Sequence, residues 1–213
     1  MDSYYKSRYI WNNDRAVVWK EIVRFLDKFL ANKKTILDLG AGYCDFINNV
    51  KAQNRIAVDM SPDFSNFAEN EVRTIRTSVT DLKQIEGDST DVVFSSNLLE
   101  HLSDDELQKT MGEVRRILKK DGLFISMQPN YRLSYKTYFD DPTHKKVFSD
   151  SALESFLISC GFEIVKKFPR FLPFSLKSRP SIIPLHSLVI RAYLNSPIKP
   201  FAGQMLFVVK NDK

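Results

Sequence analysis

Between Asp14 and Leu30 the apolar residues Val18, Trp19, Ile22, Val23, Leu26, Phe29 and Leu30 recur at helical spacing, which predicts a helix with one buried face. Beyond it the pattern alternates between two kinds of segment. Short apolar runs ending in turn residues predict strands: TILDLG (35–40), RIAVDM (55–60), VRTIRTSV (72–79), DVVFSSN (91–97), LFISMQP (123–129), FEIVKKF (162–168) and GQMLFVVK (203–210). Between them lie helical patterns: DFINNVKAQ (45–53), a short PDFSNFAEN (62–70), SDDELQKTMGEVRRILKKDG (103–122) and SDSALESFLISCG (149–161). In the third of these, Ser103 and Glu106 form a capping box, and Leu107, Met111, Val114, Ile117 and Leu118 make the apolar stripe. Lys119, Lys120 and Gly122 are its stop signals. In the fourth, Ser149 or Asp150 is the cap and Gly161 lies just past the end.

Strands alternating with helices predict an α/β, doubly wound sheet of seven strands, mostly parallel. The last strand is expected antiparallel. The chain reads as one domain over 1–213: an N-terminal helix and lid (1–32), a core (33–168), an insertion (169–202) and the last strand (203–213). The insertion carries six of the nine prolines, and its PLHSLVIRAYL predicts a helix with Leu185, Leu188, Val189, Ala192 and Tyr193 on its apolar side.

Composition narrows the class. Hydrophobic residues make up 43% and charged residues 27%, ordinary for a globular domain. Cys44 and Cys160 are too few for a disulfide framework, so a reducing compartment and a cytoplasmic location are expected. The N-terminal stretch is charged throughout and reads as neither a leader nor a membrane span. Net charge is +5, but from Ile164 to Asn211 there is no Asp or Glu and the segment carries +8, so the rest carries −3. Such a basic part suits either an anionic partner or a solubilising face.

ILDLGAGYCDF places glycines where the first strand meets its helix, the expected ligand edge of an open α/β sheet. A dinucleotide fingerprint would need a small residue three after Gly42, where Asp45 stands; with Asp38 it makes a carboxylate pair better suited to a cationic ligand. Asp59, at the end of the second strand, is placed to grip ribose hydroxyls. A nucleoside with a positively charged tail follows, and S-adenosylmethionine fits.

ILDLGAG, AVDMS, VTDL, SSNLLEHL and LKKDGLFISMQPN resemble, in order and spacing, the motifs of class I S-adenosylmethionine-dependent methyltransferases, nearest to the ubiquinone-biosynthesis-type, methyltransferase-11-like branch. The resemblance covers about 35–130 and implies a Rossmann-like fold and S-adenosylmethionine as cofactor, with S-adenosylhomocysteine as product. It implies that Asp38, Gly40, Ala41 and Gly42 hold the methionine end and Asp59 the ribose, and that Met60 packs on adenine. Thr80, Asp81 and Leu82 would frame the adenine, and Asn97 and Leu98 would line the floor. Cys44 departs from the pattern, where a glycine is frequent. The loop D-x-T-H and the segment F-L-P-F-S-x-K-S-R are looser likenesses to methyltransferases that accompany bacterial polysaccharide and sugar-modifying enzymes.

Methyl transfer needs a positioned nucleophile, and an alcohol acceptor also needs a base. His144, three residues after Asp141 in FDDPTHKKVFSD, is the leading candidate. Asp141 either orients its imidazole through one ring nitrogen or caps a local turn. His101 in NLLEHL either takes part in catalysis or holds the following helix, and His186 reads as structural. Glu100, His101, Asp140, Asp141 and His144 fit no compact ligand motif, so no metal is expected from spacing. Tyr4, Tyr5, Tyr9 and Trp11 form either a lid over the sulfonium or plain packing. Arg170, Lys177 and Arg179 offer cations to a phosphate, a nucleotide-sugar or a carboxylate, and 166–199 offers peripheral contact with an anionic inner membrane face, which suits a lipid-linked glycan. No RNA-binding module is recognisable. The leading expectation is an O-methyltransferase acting on a small anionic or sugar-type acceptor in surface-polysaccharide biosynthesis. The alternatives are methylation of a lipid-soluble quinone-like precursor, or a scaffold that keeps the cofactor fold without turnover.

Overall fold

The computed structural model describes residues 13–173 and 186–213. Seven strands form one sheet: β1 (Thr35–Leu39), β2 (Asn54–Asp59), β3 (Val72–Arg76), β4 (Thr90–Ser96), β5 (Leu118–Pro129), β6 (Phe162–Phe168) and β7 (Gln204–Asn211). Their order is β3-β2-β1-β4-β5-β7-β6. The first five pair in parallel, and β7 runs antiparallel to both β5 and β6. This is the mixed doubly wound sheet that the alternating pattern predicts. Strand order reverses between β1 and β4, so their carboxyl ends open the crevice in which such sheets bind ligands.

Alternate strand residues feed two cores. Leu37, Leu39, Val93, Phe124, Met205 and Phe207 point to one face, where they meet Leu107, Met111 and Val114 of α3 (Asp104–Ile117) and Leu153 and Leu157 of α5 (Asp150–Ser159). Ile36, Phe94, Ile125, Leu206 and Val208 point to the other face. There they meet α1 (Asn13–Leu30), the short α2 (Asp45–Asn49) and α6 (Ser187–Asn195). A fourth short helix, α4 (Tyr131–Ser134), follows β5. Each fully buried Leu or Ile contributes about 1.5–3 kcal/mol of transfer free energy, so the two-sided sheet carries most of the stability.

Several elements differ from the pattern reading. The helix over 45–53 stops at Asn49, because Val50 turns extended (φ −82°, ψ 141°) and buries its side chain. The helix over 62–70 is a single 3-10 turn at Phe64–Phe67. Helix α6 exists, but its buried residues are Ile190 and Leu194, while Leu188 and Val189 are exposed. The reason lies 170 residues away: Glu21 of α1 receives both Arg191 Nε (2.9 Å) and Arg191 Nη2 (3.0 Å), which fixes the rotation of α6 on α1. Glu21 is buried, and the Arg191 hydrogen bonds pull its carboxyl down to about 2. The last strand is tied down as well. Buried Asn211 gives Nδ2 to the carbonyls of Arg115 (3.1 Å) and Leu118 (3.2 Å), orphan acceptors at the end of α3.

Candidate functional site

At the end of β1 the chain turns through three left-handed residues, Gly40 (φ +74°), Gly42 (φ +50°) and Cys44 (φ +56°). Gly40 and Ala41 donate their N–H groups to Val58 O at 2.9 and 3.0 Å, which closes the turn against β2. A side chain at Gly40 would put its Cβ 3.1 Å from Leu98 Cδ1, so glycine is required by both conformation and neighbour. Gly42 has open space on that side. Asp59 is held by Gly42 N–H on Oδ2 and by Ser61 N–H on Oδ1, both at 2.8 Å. Its carboxylate is thus oriented before any ligand arrives.

Three carboxylates converge on this turn. Asp38, Asp45 and Asp59 are all buried. Burial raises the Asp38 carboxyl well above the usual carboxylate range; the charges of Asp59 and Asp45 push the same way, and the Ile47 N–H opposes them. Burial also raises Asp45, against the pull of Arg15 from α1, which pairs with it and lies 5.6 Å from the Tyr43 ring centroid. The Cys44 thiol is pushed up to about 12 by burial and then by the same three acids. A turn this rich in carboxylates is complementary to a cation: burial is the first cause that raises Asp38 and Asp45, and a cation held among them would favour their charged forms. These residues therefore fit the sulfonium and ammonium of S-adenosylmethionine.

The rest of the predicted cofactor set divides. Met60 is 56% exposed just past β2, as an adenine-packing side chain must be. Asn97 ends β4 in a left-handed conformation (φ +49°), with its N–H on Met127 O and Oδ1 receiving Gln204 Nε2 at 2.9 Å. Strain of this kind gathers at functional edges. Leu98 packs on Gly40. Thr80 bonds Ser78, and Asp81 is exposed beside Lys83. The Leu82 side chain is a correction: it is fully buried in the α3-side core, and its N–H bonds Glu113 Oε2 (2.8 Å), so only its backbone is left to frame a ligand.

The loop after β5 folds back onto the turn after β4. Lys145 and Lys146 both donate N–H to Glu100 O, at 2.8 and 3.0 Å. This brings His144 beside His101, with ring centroids 4.9 Å apart. His144 Nδ1 lies 2.6 Å from Tyr138 O, an acceptor, so Nδ1 carries the proton and Nε2 the lone pair. The orienting bond thus comes from the Tyr138 carbonyl and not from Asp141, which corrects the sequence reading. Asp141 Oδ1 instead accepts Thr143 N–H (3.0 Å) and Thr143 Oγ1 (2.6 Å), the local turn that was the alternative, while Oδ2 stands 4.0 Å from His144 Nε2. Because Thr143 O–H is given to Asp141, His101 Nδ1 donates to Thr143 Oγ1 at 2.9 Å. Neither Tyr138 nor Thr143 carried a periodic signal in the sequence. Glu100, next to them, is fully buried, and burial followed by the Asp141 charge drives its carboxyl up to about 8 against its own N–H.

Four of the eight cations of the basic C-terminal part are engaged within the fold. Arg191 holds Glu21, Lys167 holds Glu154 (2.7 Å) and Lys210 holds Glu163 (2.8 Å). Buried Lys199 caps α6 by donating to Tyr193 O (2.9 Å) and Leu194 O (2.8 Å). His186 is the α6 N-cap. Arg170 is exposed, whereas Lys177, Arg179, Tyr4, Tyr5, Tyr9 and Trp11 lie outside the described residues. Among the described residues, no helix is long and apolar enough to cross a membrane. A cavity of about 780 Å³ opens beside Lys20, Asn48, Lys51 and Arg55. It lies at the amino end of β2, opposite the crevice, and holds none of these groups.

Residues 37–126 match the methyltransferase domain family. No curated protein matches the sequence. Solved structures share the fold across nearly the whole chain. An S-adenosylmethionine-dependent methyltransferase from Archaeoglobus fulgidus is 22% identical (TM-score 0.69; 92% of this chain and 94% of that one). One from Thermotoga maritima is 18% identical (TM-score 0.71; 99% and 95%). One from Clostridium acetobutylicum is 17% identical (TM-score 0.64; 95% and 93%). The fold is that of the Rossmann-like methyltransferases. The domain match falls on the part of the sheet that carries the glycine turn.

Proposed function

We propose that the protein transfers a methyl group from S-adenosylmethionine to a hydroxyl oxygen of a small anionic or sugar-type acceptor. The observation that carries this reading is the juxtaposition at one sheet edge of the glycine turn, with its three buried carboxylates, and the loop that presents His101 and His144. Asp38 and Asp45 would face a cationic tail whose charge draws these raised acids into their carboxylate forms, Asp59 is preset for ribose, and Met60 offers an apolar face. The cofactor supplies a methyl group on a good leaving group, so the protein mainly orients the acceptor and removes its proton. Proton removal falls to the histidine loop, in which the Tyr138 carbonyl and Thr143 hold both imidazoles with Nε2 bearing the lone pair. An acceptor of the surface-polysaccharide kind rests on the loop resemblance alone. Exposed Arg170 is a described cation available to an anionic acceptor.

Calorimetry with S-adenosylmethionine tests the reading directly. Binding in the micromolar range is expected, and Asp59→Asn weakens it. His144→Ala should lower turnover by about 10²–10⁴-fold at unchanged cofactor affinity. A wild-type protein that binds no S-adenosylmethionine sinks the proposal.

A further inference from the structure

Glu100 stands out among the described residues. It is fully buried, yet among the described residues neither carboxylate oxygen finds a hydrogen-bond partner beyond its own backbone N–H. A buried carboxyl left so either keeps its proton or takes on a cation. One ligand atom each from Glu100, His101 and His144 lie within 4.8 Å of one another. Both imidazoles also have the outer support that metal-bound histidines have. His144 gives Nδ1–H to a backbone carbonyl, and His101 gives Nδ1–H to a threonine backed by Asp141.

We propose that Glu100, His101 and His144 form a binding site for one divalent transition-metal ion, and that this ion receives the acceptor's oxygens in the methyl-transfer site. Two imidazole nitrogens and one carboxylate suit ions of the zinc, manganese or iron(II) kind; magnesium prefers oxygen ligands. Ligands about 2.1 Å from a tetrahedral ion stand about 3.4 Å apart, so the three side chains close by about 1.4 Å at most. The backbone already holds them in place, since the N–H groups of Lys145 and Lys146 lock the His144 loop to Glu100 O. Three protein ligands leave positions open, the mark of a catalytic site rather than a closed structural one. Those positions suit an acceptor with two adjacent oxygens, such as a vicinal diol or a hydroxy acid. With the ion bound, both imidazoles serve as its ligands in place of the direct base role given above; a coordinated hydroxyl then gives its proton to the Asp141 carboxylate, and its electron pair forms the O–CH3 bond as the S–CH3 bond breaks. This role rests on the methyltransferase reading; the ion site itself does not.

The test uses full-length protein stripped with a chelator and titrated with Zn²⁺, Mn²⁺, Co²⁺ and Mg²⁺ by calorimetry. Metal content after dialysis gives the stoichiometry, and the Co²⁺ absorption spectrum reports nitrogen ligation. One equivalent of a transition ion is expected, with weak or no Mg²⁺ binding. Glu100→Gln and His144→Asn should each weaken binding by at least about 100-fold, with near-UV circular dichroism confirming the fold. If Glu100→Gln does not fold, the His101→Asn variant replaces it. Absence of binding, or one equivalent that survives in the His101→Asn/His144→Asn double variant, overturns the site. Titrating S-adenosylmethionine into the same samples separates the two proposals. Cofactor affinity retained while the ion is lost supports both. Ion binding without cofactor binding refutes the methyltransferase reading and leaves the ion site standing.

Discussion

Gly40→Ala isolates what the turn after β1 requires. The residue sits at φ +74°, where a left-handed L-residue costs about 1–2 kcal/mol, and its new Cβ would stand 3.1 Å from Leu98 Cδ1. Replacing any glycine by alanine also stabilises through the unfolded chain, by about 0.4–1 kcal/mol. Gly112→Ala measures that gain alone, because Gly112 lies inside α3 with nothing within 4 Å of its built Cβ. The two variants should therefore differ by about 2 kcal/mol, or about 4–8 °C in Tm for a chain of this size. Thermal unfolding by circular dichroism reads the difference. Calorimetry adds the functional half: displacing Leu98 from the crevice should weaken S-adenosylmethionine about tenfold in Gly40→Ala, the equivalent of about 1.4 kcal/mol, and leave Gly112→Ala unchanged. If Gly40→Ala melts with or above Gly112→Ala, the turn does not need its glycine and the crevice geometry argued from it fails.

Three further outcomes are expected. Glu21 titrates at about 2 in the fold against 4.5 unfolded, so its contribution is complete above pH 4.5 and is lost as pH falls toward 2; melts of wild type and Glu21→Gln should differ at pH 7 and converge near pH 2. Ser103→Ala removes the capping box seen at α3 and should cost about 1 kcal/mol in urea unfolding, with an unchanged m-value. Cys44, pushed up to about 12, should resist iodoacetamide at pH 8 in the native protein and react once unfolded, as intact and peptide masses will show.

What the sequence made legible was local. The Ser103–Glu106 capping box, the glycines after β1 and the short apolar runs of the strands are each written within a few neighbouring residues, and each was found where expected. The acids Asp38 and Asp45 could be read as a pair because they flank one turn. What stayed hidden was long-range or carried by the backbone. Nothing near Arg191 announces Glu21, so the apolar face of α6 was misplaced. The orienting partner of His144 is a carbonyl, which every residue has. The approach of Glu100 to His144 depends on two backbone hydrogen bonds, from the N–H groups of Lys145 and Lys146 to Glu100 O, that close a gap of more than forty residues. Spacing rules for metal ligands assume one loop or one helix, and this cluster uses neither.

Strand β7 has a consequence for how the protein is made. It is the last strand in chain order, yet it lies inside the sheet, with β5 on one side and β6 on the other. Until it emerges from the ribosome, β5 and β6 have no partner between them and present open edges lined with apolar side chains. At about 5–20 residues per second of synthesis, the nascent chain must hold that gap for seconds while β1 to β5 are already able to pair. The core can therefore assemble during translation, but closure waits for β7. A translation stall after β6 would release a chain with a strand-shaped slot, and so a target for chaperones or for another chain's β7.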